Sequence, residues 1–222
     1  MLKVGTYKRD EIFAALNSHS RQSVNRKLER YGVIFKVCGR GQNLTYEIQK
    51  ITNAFKLYCI TELGISANVD FEKFKYFCLY LFCDDTFITL PIVKMEQILR
   101  TNGTPISRQT ISKSIRYLQN NNYIAVFKND CRYYAINSLP NGEKSYTEIE
   151  HEKYKKGWQI YWNSKRIMET GLAYWKMRKY IGGHPYKCPK IEQNAFYSKE
   201  IKTLIDLIAD TFLNQPINTN NN

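Results

Sequence analysis

Apolar positions along this chain recur at two periods. In "YKRDEIFAALN", Ile12, Ala15 and Leu16 fall at i, i+3 and i+4, and the spacing predicts a short helix. After "NSHS", Val24, Leu28 and Tyr31 fall at i, i+4 and i+7, a stripe that predicts a second helix with Ser20 as its N-cap. Gly32 stops that helix. "VIFKV" and "LTYEI" then alternate as two strands around the Gly-rich turn "CGRGQN".

The pattern returns further along. Ser107 opens "SRQTISKSIRYLQNNN", in which Ile111, Ile115 and Leu118 repeat the same stripe. Both copies begin Ser-Arg-Gln, then a hydroxyl residue, then a β-branched one. Upstream, "PIVKMEQILR" places Met95, Ile98 and Leu99 on one face, with Pro91 suited to a first helical turn. Downstream, "YIAVF", "KND" and "CRYYAI" read as strand, tight turn and return strand. Before this copy, "DFEKFKYFCLYLFC" puts Phe71, Phe74, Cys78, Leu81 and Phe82 on a buried helix, expected to close the second copy's three-helix core. The first copy has only "MLKVGT" ahead of it, so its core is expected to borrow from "ITNAFKLYCITEL" after its hairpin.

The polar faces of the two Ser-Arg-Gln helices are basic and amide-rich. Ser20, Arg21, Gln22, Asn25 and Arg26 mark the first, and Ser107, Arg108, Gln109, Ser112, Lys113 and Arg116 the second. Helix, turn, basic helix and hairpin together resemble the winged helix-turn-helix family. The resemblance covers about residues 1–50 and 70–137, joined by a connecting helix or linker at 51–69. It implies that the second helix of each copy enters a major groove, where Arg pairs with guanine and Gln or Asn with adenine. It also implies that a wing meets the backbone or minor groove, with Arg40 on the first wing and Lys128 and Arg132 on the second. The tandem arrangement is similar to that of plasmid and phage replication initiators and of transcriptional regulators.

Charge changes the picture toward polyanions. The chain carries 33 basic against 20 acidic residues, a net charge of +13, which attracts nucleic acid or an anionic surface. Hydrophobic content of 43% and aromatic content of 14% supply real cores. The six cysteines show no zinc-ribbon spacing, and Cys59, Cys78 and Cys83 sit in apolar runs as small core residues. With no signal-peptide pattern and no run long enough to span a bilayer, a reducing bacterial cytoplasm and no membrane are expected.

From residue 143 to 214 the chain is expected to be a basic, aromatic helical region behind the turn-rich linker "NSLPNGEKS". Its last helix is capped by Ser198. With Ile201, Leu204, Ile205, Ile208, Thr211 and Phe212 in register, it would cover the modules or form a homodimer seam. Residues 215–222 read as a frayed polar tail.

Candidate chemistry is thin. His19, His151 and His184 are isolated, "EIEHEK" reads as a charged helix start, and no phosphate-binding loop or nucleophile elbow occurs. No catalytic residue, metal ligand or cofactor is assigned. The expected class is α+β, mainly helical, with two winged modules and a helical C-terminal region. The expected function is sequence-specific double-stranded DNA binding, as a regulator or replication initiator of a bacterial mobile element. An endonuclease or nickase, and a phage-type inhibitor of a nucleoprotein complex, are the alternatives.

Overall fold

The computed structural model describes residues 2–213. In chain order they form β1 (Gly5–Lys8), α1 (Arg9–Ala15), α2 (Arg21–Arg30), β2 (Val33–Cys38), β3 (Thr45–Ile51), α3 (Ala54–Thr61), α4 (Phe71–Cys83), α5 (Ile92–Thr101), α6 (Arg108–Asn120), β4 (Ile124–Ser138), β5 (Lys144–Ile149), α7 (His151–Lys165), α8 (Thr170–Ile181), β6 (His184–Gln193) and α9 (Ser198–Leu213). The class is α+β: among the described residues there are nine α-helices and two three-stranded antiparallel sheets. The chain divides into two units. One holds the described residues of Met1–Asp84, Ser112–Tyr123 and Asn194–Asn222, and the other holds Asp85–Ile111 and Ile124–Gln193. Helix α6 therefore begins in the second unit and ends in the first.

In the first unit β3 is the middle strand, flanked by β1 and β2. Val24 and Leu28 of α2 and Ile12 of α1 are buried with Tyr46 and Ile48 of β3 in one cluster. A fully buried Leu or Ile contributes roughly 1.5–3 kcal/mol by leaving water, so this stripe is what fixes α2 on the sheet. Leu57 of α3 joins the same cluster, as expected of a first copy that borrows its core from downstream. Two stripe positions differ from expectation. Ala15 is exposed, and Tyr31 is the half-buried C-cap of α2. Strand β1 has no counterpart in the sequence pattern. Its four residues are exposed or half-exposed and lack an apolar alternation, and pairing of Gly5–Lys8 with Ile48–Thr45 alone makes them a strand.

The aromatic helix α4, expected to close the second copy's core, falls in this unit together with Ser112–Tyr123 of α6. It buries Phe71, Phe74, Phe77, Cys78, Leu81 and Phe82, an apolar surface wide enough to need more than one neighbour. Phe74 meets Phe55 of α3 at 6.1 Å and Tyr117 of α6 at 6.5 Å between ring centroids. Helix α9 packs on α3 and α4 through Ile201, Leu204, Leu207 and Ile208. Its buried apolar face is thus used within the chain. Of the three cysteines read as core, Cys59 and Cys78 are buried and Cys83 is exposed at the end of α4. Burial raises the thiol pKa of Cys59 and of Cys78.

The second unit corrects the sequence reading more deeply. The expected turn at Lys128–Asp130 is not a turn. One strand, β4, runs through it, with a register shift between Phe127 and Cys131 where it pairs with β6. The reversal lies instead at Leu139–Glu143, inside the expected linker, and leads into β5. Strand β6 falls in the region expected to be helical. Its two prolines, Pro185 and Pro189, argue against a strand interior, but β6 is an edge strand in the order β5-β4-β6, where a missing N–H is tolerated. Helices α7 and α8 bury Tyr161, Ala173, Met177 and Ile181 with Ala135 of β4.

The expected tail at 215–222 lies outside the described residues, as does Asn214 of the expected 143–214 region. Among the described residues no helix is long and apolar enough to cross a membrane.

Candidate nucleic-acid interface

The start of α2 is built from three elements of the first unit. Helix α1 ends at Ala15, and Asn17 takes a left-handed φ of 45° that turns the chain. Lys27 of α2 reaches back and donates to the carbonyls of Leu16 at 2.8 Å and Asn17 at 3.0 Å, carbonyls left over at the end of α1. Ser18 is buried and its hydroxyl lies 3.2 Å from that of Ser23. Ser20 accepts from the Ser23 N–H at 3.2 Å, the expected N-cap. Together these hydrogen bonds set the angle at which α2 leaves the turn.

A groove of about 250 Å³ opens beside this cap, lined by Arg9 of α1, His19, Ser20, Arg21 of α2 and Arg40 between β2 and β3. The residues lining it include no carboxylate. Arg40 is held there by a tight turn. Gly39 has a φ of +79°, and a Cβ on it would come within 2.2 Å of the Asn43 carbonyl oxygen, so only glycine fits. Arg9 lies over the Phe13 ring at 5.4 Å and 3.9 Å from the exposed Asp10 carboxylate. Tyr46 is fully buried, and its hydroxyl has no hydrogen-bond partner. Burial raises the Tyr46 pKa, while Arg21 and Arg9 act to lower it. The positive field of the two guanidinium groups thus reaches this hydroxyl. Three guanidinium groups and a helix N-terminus facing one concavity suit an anion such as a phosphate.

Along α2, Gln22 and Arg26 are exposed, and a second shallow concavity of about 280 Å³ passes both and Arg30. Arg30 donates to the Asn68 side-chain oxygen. Asn25 is half-buried, and its side-chain oxygen is enclosed without a partner, so it is less available than the helix face suggested.

In the second unit Ser107 caps α6, accepting from the Thr110 N–H at 3.3 Å. Arg108 is not a free cation. Its Nε lies 2.8 Å from Glu96 of α5, which also lies 3.6 Å from Arg100. Gln109, Ser112, Lys113 and Arg116 are exposed along α6, and Ile111, Ser114, Ile115 and Leu118 are buried. A groove beside the start of α6 is lined by Arg100, Arg108, Glu96, Glu143, Lys144 and Tyr146, a mixed-charge surface. The predicted wing residues do not sit at a tip. Lys128 lies within β4, and Arg132 lies mid-strand with Nη1 3.4 Å from Glu148 of β5. The exposed basic residue next to the true hairpin turn is Lys144, which the sequence reading places in a linker. Arg9 and His19 also join the site without a sequence signal. The adjacent Asp10 and Glu11 make Arg9 look like part of an ordinary charged helix start.

The "EIEHEK" group forms the start of α7, with Glu150 as N-cap and His151 stacked on Tyr133 at 4.8 Å. Among the described residues no group of three or more His, Cys, Asp or Glu is placed to hold a metal ion. No family model, curated protein or solved structure matches the chain.

Proposed function

We propose that this chain is a sequence-reading, double-stranded DNA-binding protein of winged helix-turn-helix type, with α2 as a major-groove helix and the β2–β3 turn as its wing. The observation that carries this reading is the meeting of Arg9, Arg21 and Arg40 at the capped start of α2. Phosphate contacts of this kind fix register on a duplex, and the exposed Gln22 and Arg26 further along α2 are of the types that read base edges. The order β1, α1, α2, β2, β3, with β3 in the middle of the sheet, supports the winged assignment. Helix α6 serves as a second reading helix through Gln109, Ser112, Lys113 and Arg116. The protein acts at a promoter or an origin, as a regulator or a replication initiator.

Selection from a randomised duplex library at near-physiological salt tests this, with magnesium present and the recovered DNA checked for cuts. The expected result is an enriched, intact site. Gln22→Ala relaxes the preference at one position by about 1–3 kcal/mol. Binding without enrichment, fading steeply with salt, reduces the chain to a phosphate binder. Cleaved DNA replaces the proposal with a nuclease.

A further inference from the structure

The α7–α8 hairpin of the second unit carries a surface that the double-strand reading does not use. Its inner face is closed tightly. Gly157 lets α8 approach so near that a Cβ there would lie 2.4 Å from the Ile181 Cδ1, and Tyr161, Ala173, Met177 and Ile181 are buried. The hairpin is therefore a stiff platform. Its outer positions are apolar to an unusual degree. Trp162 is 54% exposed, Trp175 58%, Leu172 56% and Ile167, in the connection, 81%. A tryptophan normally buries most of its area, so two left open call for an occupant.

Each open indole is paired with an ammonium group. Lys165 Nζ lies 5.2 Å from the Trp162 ring centroid, and Lys179 Nζ lies 5.3 Å from that of Trp175. The spacings, i+3 on α7 and i+4 on α8, put each cation one turn from its ring. The charge is one-sided: from residue 151 to 181 the only acidic residues are Glu152 and Glu169, against six lysines and two arginines. A flat ring beside a cation, repeated on two helices, matches a ligand that repeats a flat base beside a phosphate.

We infer that the outer face of the α7–α8 hairpin binds single-stranded nucleic acid, with bases stacking on Trp162 and Trp175 and phosphates meeting Lys165 and Lys179. A duplex hides its base faces, so it does not satisfy this surface. An anionic membrane fits less well. The cations sit on the indoles themselves rather than at the margin of an apolar stripe, and insertion would draw them toward hydrocarbon. The inference uses no residue of α2 and stands whether or not α2 reads a duplex.

The test uses the full chain with labelled oligothymidylate and oligouridylate, each roughly 20 nucleotides long and so longer than one site. A mixed-sequence duplex and phosphatidylglycerol vesicles are run beside them. Tryptophan emission is the direct readout, with half-buried Trp158 as the internal reference. Single strands are expected to quench the emission. Trp162→Ala with Trp175→Ala should weaken single-strand binding roughly 10- to 100-fold and leave duplex binding unchanged. Lys165→Gln with Lys179→Gln should weaken it less and flatten its salt dependence. If the tryptophan pair lowers the thermal midpoint, the lysine pair and the two single Trp variants decide the matter, since those side chains are exposed. Comparison of the two oligonucleotides assigns DNA or RNA. Unchanged single-strand affinity in the variants overturns the inference. So does a blue shift with vesicles in the absence of quenching by oligonucleotides, which assigns the face to a lipid surface.

Discussion

The two Ser-Arg-Gln helices share a cap and a buried stripe and differ in what surrounds them. Ser20 and Ser107 cap in the same way, at 3.2 and 3.3 Å from the N–H three residues on. Val24 and Leu28 are matched by the buried Ile111 and Ile115. Beyond that the copies diverge. Lys27 clamps the turn before α2, and the position in step with it on α6 is the buried Ser114. Arg21 faces an open basic groove, whereas Arg108 is paired with Glu96. The third strand is also recruited differently: β1, before the helices, adds to the returning strand β3 in the first sheet, and β6, from far downstream, adds to the outgoing strand β4 in the second. A repeated helix pattern specifies a helix and its buried face. It does not specify how a third strand is recruited nearby in the chain or the charge environment of the helix's first turn.

The largest effect expected is on the shared stripe. Leu28 is fully buried between α2 and the first sheet, and Leu28→Ala should cost about 2–5 kcal/mol in a denaturant titration. A cost below about 1 kcal/mol would mean that the cluster does not anchor α2. The difference between the copies is tested next. Arg21→Ala with Arg40→Ala should reduce duplex affinity about 10- to 100-fold and lower the salt slope by about 0.9 for each phosphate that is no longer neutralised. Arg108→Ala should change affinity less, because its guanidinium is already engaged by Glu96. Equal reductions in the two copies would remove the distinction drawn from the ion pair.

The legible part of the fold was its helical part. The stripes of α1, α2, α4, α5, α6 and α9 follow a 3.6-residue period, and burial falls where that period puts it at Ile12, Val24, Phe74, Met95, Ile115 and Leu204. The sheets were less legible because partners far away in sequence override local signals. Lys128-Asn129-Asp130 has turn chemistry but is carried through as strand by pairing with β6. The prolines of β6 and the shortness of β1 hid those strands. Within the candidate site, the exposure of Arg21, Gln22 and Arg26 on α2 follows from the same helical period. The pairing of Arg108 and the enclosure of Asn25 depend on tertiary neighbours that periodicity does not reveal.

The Lys27 clamp gives a smaller effect confined to the first copy. Lys27→Met keeps the aliphatic stem and removes the donor to two carbonyls, so a loss of about 1–2 kcal/mol is expected. Duplex affinity should fall with it, because the clamp sets the angle of α2. A stability loss with affinity intact would separate the turn from the reading helix.

The smallest effect sharpens the contrast between the two sheets by pH. His184 begins β6, accepts or shares a hydrogen bond with the Tyr174 hydroxyl, and has its pKa lowered by burial first and then by Arg178 and Lys144. A histidine held below its ordinary value of 6.5 binds fewer protons folded than unfolded over the interval between the two values. Its contribution to stability is therefore complete above about pH 6.5 and is lost as pH falls through the folded value. Much of the side chain is in solvent, so the change is small. The strand that completes the first sheet, β1, carries no histidine. His184→Gln should accordingly flatten the acid limb of thermal stability below about pH 6.5. If the limb is unchanged in His184→Gln, the acid sensitivity does not originate at His184.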